Sequence, residues 1–181
     1  KNDSASLIDL GDGVLCCEFT SKMNAIDDDI IKMLHEGLDI VESSDNWAGM
    51  VLGNQGENFS VGANLFMILM NARQKKFDDL EMAVKGLQSA THRLRYSPKP
   101  TVAAPHGMAL GGGCEVCLGC DAICAYAELY MGLVELGAGV IPAGGGTTNT
   151  LVRWLENIPD GMTVDRFPFI QKAFELIGMA T

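Results

Sequence analysis

No stretch of about 18 consecutive apolar residues occurs in this 181-residue chain, so no membrane-spanning helix is expected. The opening residues, KNDSASLIDLGDG, hold no apolar h-region, which argues against a signal peptide. Cations are scarce: 13 Lys and Arg stand against 23 Asp and Glu, a formal net charge of −10. Non-specific nucleic-acid binding needs a basic footprint, and an anionic membrane surface repels such a chain. A small polyanionic ligand remains compatible, because a few local cations and helix N-termini suffice to hold it. No G-K-[ST] follows a glycine run, and neither GAGVIPAGGG nor GDGVLCC has the third glycine of G-x-G-x-x-G where it is required. G-x-S-x-G is missing too. The three histidines, His35, His92 and His106, are far apart and lack metal-ligand spacing, so no metal is expected.

What remains is an ordinary globular composition, 48% apolar and 20% charged, with the length of one domain spanning residues 1–181. Six cysteines without a secretory signal read as reduced thiols in a cytoplasm. SLIDLGDGVLCCEFT predicts two short strands turning at Gly11-Asp12-Gly13, with Cys16 and Cys17 as small core residues. Residues 27–43 open with three aspartates and continue with apolar residues at helical spacing. WAGMVLGN reads as a buried strand, and NFSVGANL as a short strand and turn. NLFMILMNARQ and FDDLEMAVKGLQSATHRLRYS read as helices, the second closing before Pro98 and Pro100. TVAAPHG and DAICAYA are strand-like, GGGCEVCLGC starts a helix between them, and FPFIQKAFELIGMAT is a final helix. Strands alternating with helices predict an α/β (α+β) class, with no internal repeat and no low-complexity linker.

Residues 111–124, GGGCEVCLGCDAIC, admit two readings. Cys114, Cys117, Cys120 and Cys124 have the C-x2-C-x2-C-x3-C spacing of an iron–sulfur ligand run, without the proline that usually follows. On a helix they fall at roughly 0°, 300°, 240° and 280°, one core-facing stripe, with Glu115 off it at roughly 100°. A cluster needs a loop wrapped round the metal, so buried packing is the better reading. Gly111-Gly112-Gly113 before a helix lets backbone N–H groups point at a ligand, where they and the helix dipole stabilise developing negative charge. For a lone glycine triplet, a tight strand-to-helix turn explains as much.

Four stretches in order give the triplet company: MNAI (23–26), FSVGANL (59–65), PHGMALGGGCE (105–115) and YMGLVELGAGVIPAGGGT (130–147). With them the chain resembles the crotonase (enoyl-CoA hydratase/isomerase) family. It is most similar to the hydratase part of bifunctional 3-hydroxyacyl-CoA dehydrogenases of fatty-acid β-oxidation. The resemblance implies a crotonase/ClpP-like ββα spiral fold and an enoyl-CoA hydratase that adds water syn to trans-2-enoyl-CoA. It implies an oxyanion hole from the backbone N–H groups of Ala63 and Gly112, and catalysis by Glu115 and Glu135. Two close carboxylates raise at least one pKa, which keeps a proton donor near neutral pH. Substrate and coenzyme A contacts are implied at Met23, Ala25, Val61, Ala63, Asn64, Leu65, Gly111, Gly112, Val134 and Ala143. Lys22, Arg73, Lys75 and Lys76 are candidate phosphate neighbours, and solvated surface charge explains each as well.

No permanently bound cofactor is implied, coenzyme A arriving as part of the substrate. In the intact protein the family suggests a homotrimer or dimer of trimers and a fused NAD-dependent dehydrogenase domain. The chain departs from the family pattern at Asn64 (usually Asp), Val134 (often Pro) and Ala143 (a glycine whose N–H helps place the water). It starts at Lys1, and family domains continue into C-terminal helices, so a fragment truncated at the C-terminus is expected. Isomerase activity, a catalytically idle acyl-CoA-binding module and, remotely, an iron–sulfur protein stay open as alternatives.

Overall fold

The computed structural model describes residues 1–179. Strands β1 (Ala5–Asp9) and β2 (Val14–Phe19) form the expected antiparallel hairpin, pairing Ile8 with Cys16 and Leu7 with Cys17. Strands β3 (Gly49–Gly53), β4 (Thr101–Ala103) and β6 (Ala122–Ile123) then add in parallel, giving the order β1-β2-β3-β4-β6. Parallel neighbours need long crossovers, and helices supply them. Helix α1 (Asp28–Glu42) links β2 to β3, α2 (Leu65–Arg73) and α3 (Phe77–Arg95) link β3 to β4, and α4 (Gly112–Gly119) precedes β6. Strands β5 (Met108–Leu110) and β7 (Tyr130–Gly132) pair in parallel as a second small sheet. Helices α5 (Gly146–Leu155) and α6 (Phe167–Gly178) follow. Among the described residues no helix is long and apolar enough to cross a membrane.

Helix α1 shows why the chain obeys its pattern here. Asp27 caps it, its Oδ1 accepting from Ile30 N at 2.9 Å, while Ser4 Oγ donates to Oδ2 at 2.5 Å. Ile30, Met33, Leu34, Leu38 and Val41 form the buried stripe against β1, β2 and β3. The same core takes in Phe19, Met50, Leu52, Phe59, Leu94, Val116 and Cys117.

Several expectations need correction. NFSVGANL forms no strand but isolated bridges, Ser60 with Ala109 and Ile26 with Ala63. Cys114, Cys117 and Cys120 are buried, but Cys124 is exposed. Helix α4 ends at Gly119 and Cys120 is extended (φ −75°, ψ 160°), so the helical angle is not carried as far as Cys124. Glu115 lies off the cysteine stripe yet is only 2% exposed, because α4 is buried almost all round. Strands β5 and β7 and helix α5 were not expected. Three-residue strands beside glycines show no alternation, and GTTNTLVRWL opens with poor helix formers. The final helix is seen to Gly178, and the end of its expected span, residues 180–181, lies outside the described residues.

Candidate active site

The four stretches singled out in the sequence converge on one place. MNAI meets the VGAN turn through Ile26 N donating to Gly62 O at 2.9 Å. That turn meets the strand before the glycine triplet through Ser60 N to Met108 O (3.0 Å) and Leu110 N to Ser60 O (2.9 Å). The triplet meets the fourth stretch through Gly111 N to Gly132 O at 3.0 Å. Met23 (φ 57°) and Asn24 (φ 51°) sit in the left-handed region. Asn24 Nδ2 donates to Asn58 O at 2.9 Å, tying this unusual backbone to the loop before Ser60.

Ala63 and Gly112 lie on facing loops. A Cβ on Gly112 would stand 3.7 Å from Ala63 N, and one on Gly62 would stand 3.2 Å from Gly112 N. Neither the Ala63 nor the Gly112 N–H donates to another group among the described residues. Gly62 has φ +87°, and a Cβ there would lie 2.7 Å from Leu110 O, so only glycine permits this approach of the two loops. The third glycine of the triplet has a separate reason: a Cβ on Gly113 would meet Ser60 Cβ at 2.6 Å. Asn64 is exposed and caps α2, its Oδ1 accepting from Phe66 N and Met67 N at 3.1 and 3.3 Å. An aspartate would make the same cap, which accounts for the exchange at this position.

Glu115 sits in the first turn of α4, and its Oε1 accepts from Gly144 N at 2.8 Å and Gly146 N at 2.9 Å. Burial pushes its carboxyl up to about 7; the N–H groups of Gly146 and Gly144 oppose the rise, and the nearby Glu135 adds to it. Glu135 opens the 3-10 turn Glu135–Ala138, and its carboxyl is raised by burial against one opposing hydrogen bond from its own backbone N–H. Its Oε1 lies 3.1 Å from where a Cβ on Gly111 would be, and its Oε2 is buried without a hydrogen-bond partner. A carboxylate anchored by two donors thus lies within electrostatic reach of one with a bare oxygen, near two unengaged N–H groups.

The remaining expected positions are more peripheral. Val61, Val134 and Ala143 are half-buried, Leu65 and Met23 are exposed, and Ala25 is half-buried in the turn after Lys22. Lys22, Arg73, Lys75 and Lys76 are exposed and form no ion pair among the described residues. A cleft of about 440 Å³ lined by Cys114, Leu118, Met131, Leu133 and Trp154 does not include either glutamate, so hydrogen bonding rather than cavity size marks the site. His106 Nε2 sits 2.8 Å from Gly56 O, a loop contact. Among the described residues no group of three or more His, Cys, Asp or Glu stands where it could hold a metal ion. Sequence reasoning missed Gly144 and Gly146. The signal was a second glycine triplet, Gly144-Gly145-Gly146, that also leads into a helix.

The fold and these motifs define a crotonase-type α/β protein, and the comparisons agree. An enoyl-CoA hydratase of Bacillus anthracis superposes with a TM-score of 0.80 at 25% identity, over 99% of this chain and 64% of that one. One from Polaromonas sp. JS666 has the same fold, with a TM-score of 0.83 at 23% identity over 98% of this chain and 63% of that one. The family described as enoyl-CoA hydratase/isomerase matches residues 11–157, and the chain belongs to that family. A "Probable 3-hydroxyacyl-CoA dehydrogenase" of Bacillus subtilis (strain 168) is 49% identical over 180 residues, 99% of this chain and 22% of that protein. A "Probable enoyl-CoA hydratase" of the same strain is 32% identical over 157 residues, 86% of this chain and 54% of that protein. The chain therefore spans only about a fifth to a half of these two relatives.

Proposed function

We propose that the chain hydrates trans-2-enoyl-CoA to 3-hydroxyacyl-CoA. The observation that carries this reading is the pairing of two unequal carboxylates, the buried Glu115 and the half-buried Glu135 with its buried Oε2, next to the unengaged N–H groups of Ala63 and Gly112. The two N–H groups receive the thioester oxygen as it gains enolate charge, a contribution of about 3–4 kcal/mol per donor in comparable sites. Glu115, held by Gly144 and Gly146, reacts in its anionic form and takes a proton from water as the water oxygen bonds to C3. Glu135, with its bare Oε2, carries the proton delivered to C2. Glu115 ends neutral and Glu135 ionised, and proton exchange between them restores the start. Between them the pair holds one proton in the active form, as expected for coupled carboxyls raised by burial.

Coenzyme A enters as part of the substrate, along Met23 to Ile26 and Val61 to Leu65. A dehydrogenase on the same protein fits the name of the 49% identical relative. A trimeric assembly in the cytoplasm completes the proposal. Loss of enoyl absorbance with crotonyl-CoA tests it: Glu115→Gln and Glu135→Gln should each lower kcat by about 10²–10⁴. A wild type no faster than both variants sinks the hydratase reading and favours an idle binding module. Double-bond migration without hydration, lost only in Glu135→Gln, would favour the isomerase.

A further inference from the structure

The N–H groups that hold Glu115 belong to a loop, Ala143–Gly146, that is itself held from outside the four motif stretches. Gln88 Nε2 donates to Ala143 O at 2.7 Å. Thr91, one turn further along α3, has its Oγ1 2.5 Å from Gly144 O, nearer than the carbonyls of Leu87 and Gln88, both at 3.1 Å. Thr91 is only 1% exposed. The peptide between Ala143 and Gly144 is therefore gripped at both ends, its carbonyl by Gln88 and its N–H by Glu115 Oε1. In a trans peptide these two groups point in opposite directions, so fixing the carbonyl aims the N–H. A donor on the carbonyl also polarises the peptide and strengthens its N–H as a donor. The next carbonyl, at Gly144, is pinned by Thr91, and two residues on Gly146 N makes the second bond to Glu115. The loop runs tight against α3: a Cβ on Gly144 would stand 2.5 Å from Leu87 Cδ2 and 2.6 Å from Glu115 Oε2.

We infer that Gln88 and Thr91 are positioning residues for catalysis, a two-point clamp from α3 that orients the glycine loop whose N–H groups hold Glu115. They touch neither substrate nor the reacting atoms and act only through Gly144 and Gly146. The clamp's kinetic consequence rests on the hydratase reading; its structural consequence does not. Weaker or misaimed N–H donors stabilise the carboxylate less, so losing the clamp raises the Glu115 titration midpoint further. Of the titratable groups around Glu115, Glu135, in the turn after β7, bears on it, while the neighbouring Cys114 thiol is itself pushed up to about 12 by burial first and then by the two glutamates.

The test uses Thr91→Val, which keeps the shape and drops the hydroxyl, Thr91→Ser, which restores it, and Gln88→Leu at an exposed position that tolerates change. Crotonyl-CoA hydration is followed alongside titration of the Glu115 carboxyl by carbon NMR. Thr91→Val should lose roughly tenfold to a hundredfold in kcat with KM within about twofold, the scale of a small misplacement in a reacting site. Its Glu115 midpoint should move up while Thr91→Ser stays near wild type, and Gln88→Leu should shift the same way by less. A Thr91→Val protein with wild-type kcat and an unmoved midpoint overturns the clamp. If wild type itself does not turn over, the hydratase reading falls, and the midpoints alone then decide the clamp.

Discussion

Glu115 shows how much one residue's surroundings can reverse its usual behaviour. A glutamate is ordinarily exposed and ionised, yet here it is 2% exposed and lifted from 4.5 to about 7. The folded state therefore binds this proton more tightly than the unfolded chain does. Stability contributed by the neutral carboxyl is complete below about pH 4.5 and is lost as pH rises through about 7. Two to three units at about 1.4 kcal/mol each amount to about 3 kcal/mol. Glutamine has the same shape and cannot ionise. Urea unfolding of Glu115→Gln should thus gain about 3 kcal/mol on wild type between pH 4.5 and pH 8. Equal pH slopes for the two proteins would show that the carboxyl is not shifted in this way.

At the scale of elements, α4 matters most, because it carries both Gly112 and Glu115 within one short span. A helix of eight residues is marginal alone, and it owes its place to what surrounds it. Its C-terminal carbonyls find an unusual partner in α5: Arg153 Nε donates to Leu118 O at 3.2 Å, and Nη2 donates to Cys120 O. These bonds satisfy carbonyls that the helix end would leave open, and they suit the negative end of its dipole. Arg153→Met keeps much of the packing and removes both bonds. Its urea midpoint should fall by the equivalent of about 1.5–3 kcal/mol, the scale for charged hydrogen bonds. A midpoint unchanged to within about 0.5 kcal/mol would mean that α4 does not depend on this cap. The cysteines of α4 contribute differently: Cys114, Cys117 and Cys120 are small, buried packing, and burial comes first among the causes that raise their thiols.

Across the whole molecule, apolar surface is left uncovered on several helices, α2 and α6 among them. On α2 these are Leu65, Phe66, Met67 and Leu69, and on α6 Phe167, Ile170 and Phe174, each between 46% and 74% exposed. Helix α2 has no buried residue at all. Patches of this kind mark surfaces that another chain or segment covers. Together with the proposed trimer, they predict that the 181-residue chain sediments as a species heavier than 19.4 kDa. A monomer at micromolar concentration in sedimentation velocity would contradict this.

The helix α1, its aspartate-rich start, the β1–β2 hairpin and the order of the four motif stretches were legible from the sequence alone. Capping, turn chemistry and hydrophobic period act over a few residues, so a string of residues contains them. The glycine triplet at the start of α4 belongs to the same class, since it states what the backbone there must allow. Only the tertiary structure decided which groups meet. Nothing in a separation of twenty positions says that Glu135 raises the carboxyl of Glu115. Nothing in α3's amphipathic pattern marks Thr91 as the residue that grips Gly144 O, fifty-three positions away. The burial of Glu115 escaped the helical angle because all sides of α4 are packed, and Cys124 escaped it because the helix stops at Gly119. Local preference chooses the elements; the path of the chain through the core chooses their neighbours, and the chemistry proposed for this site lies in those neighbours.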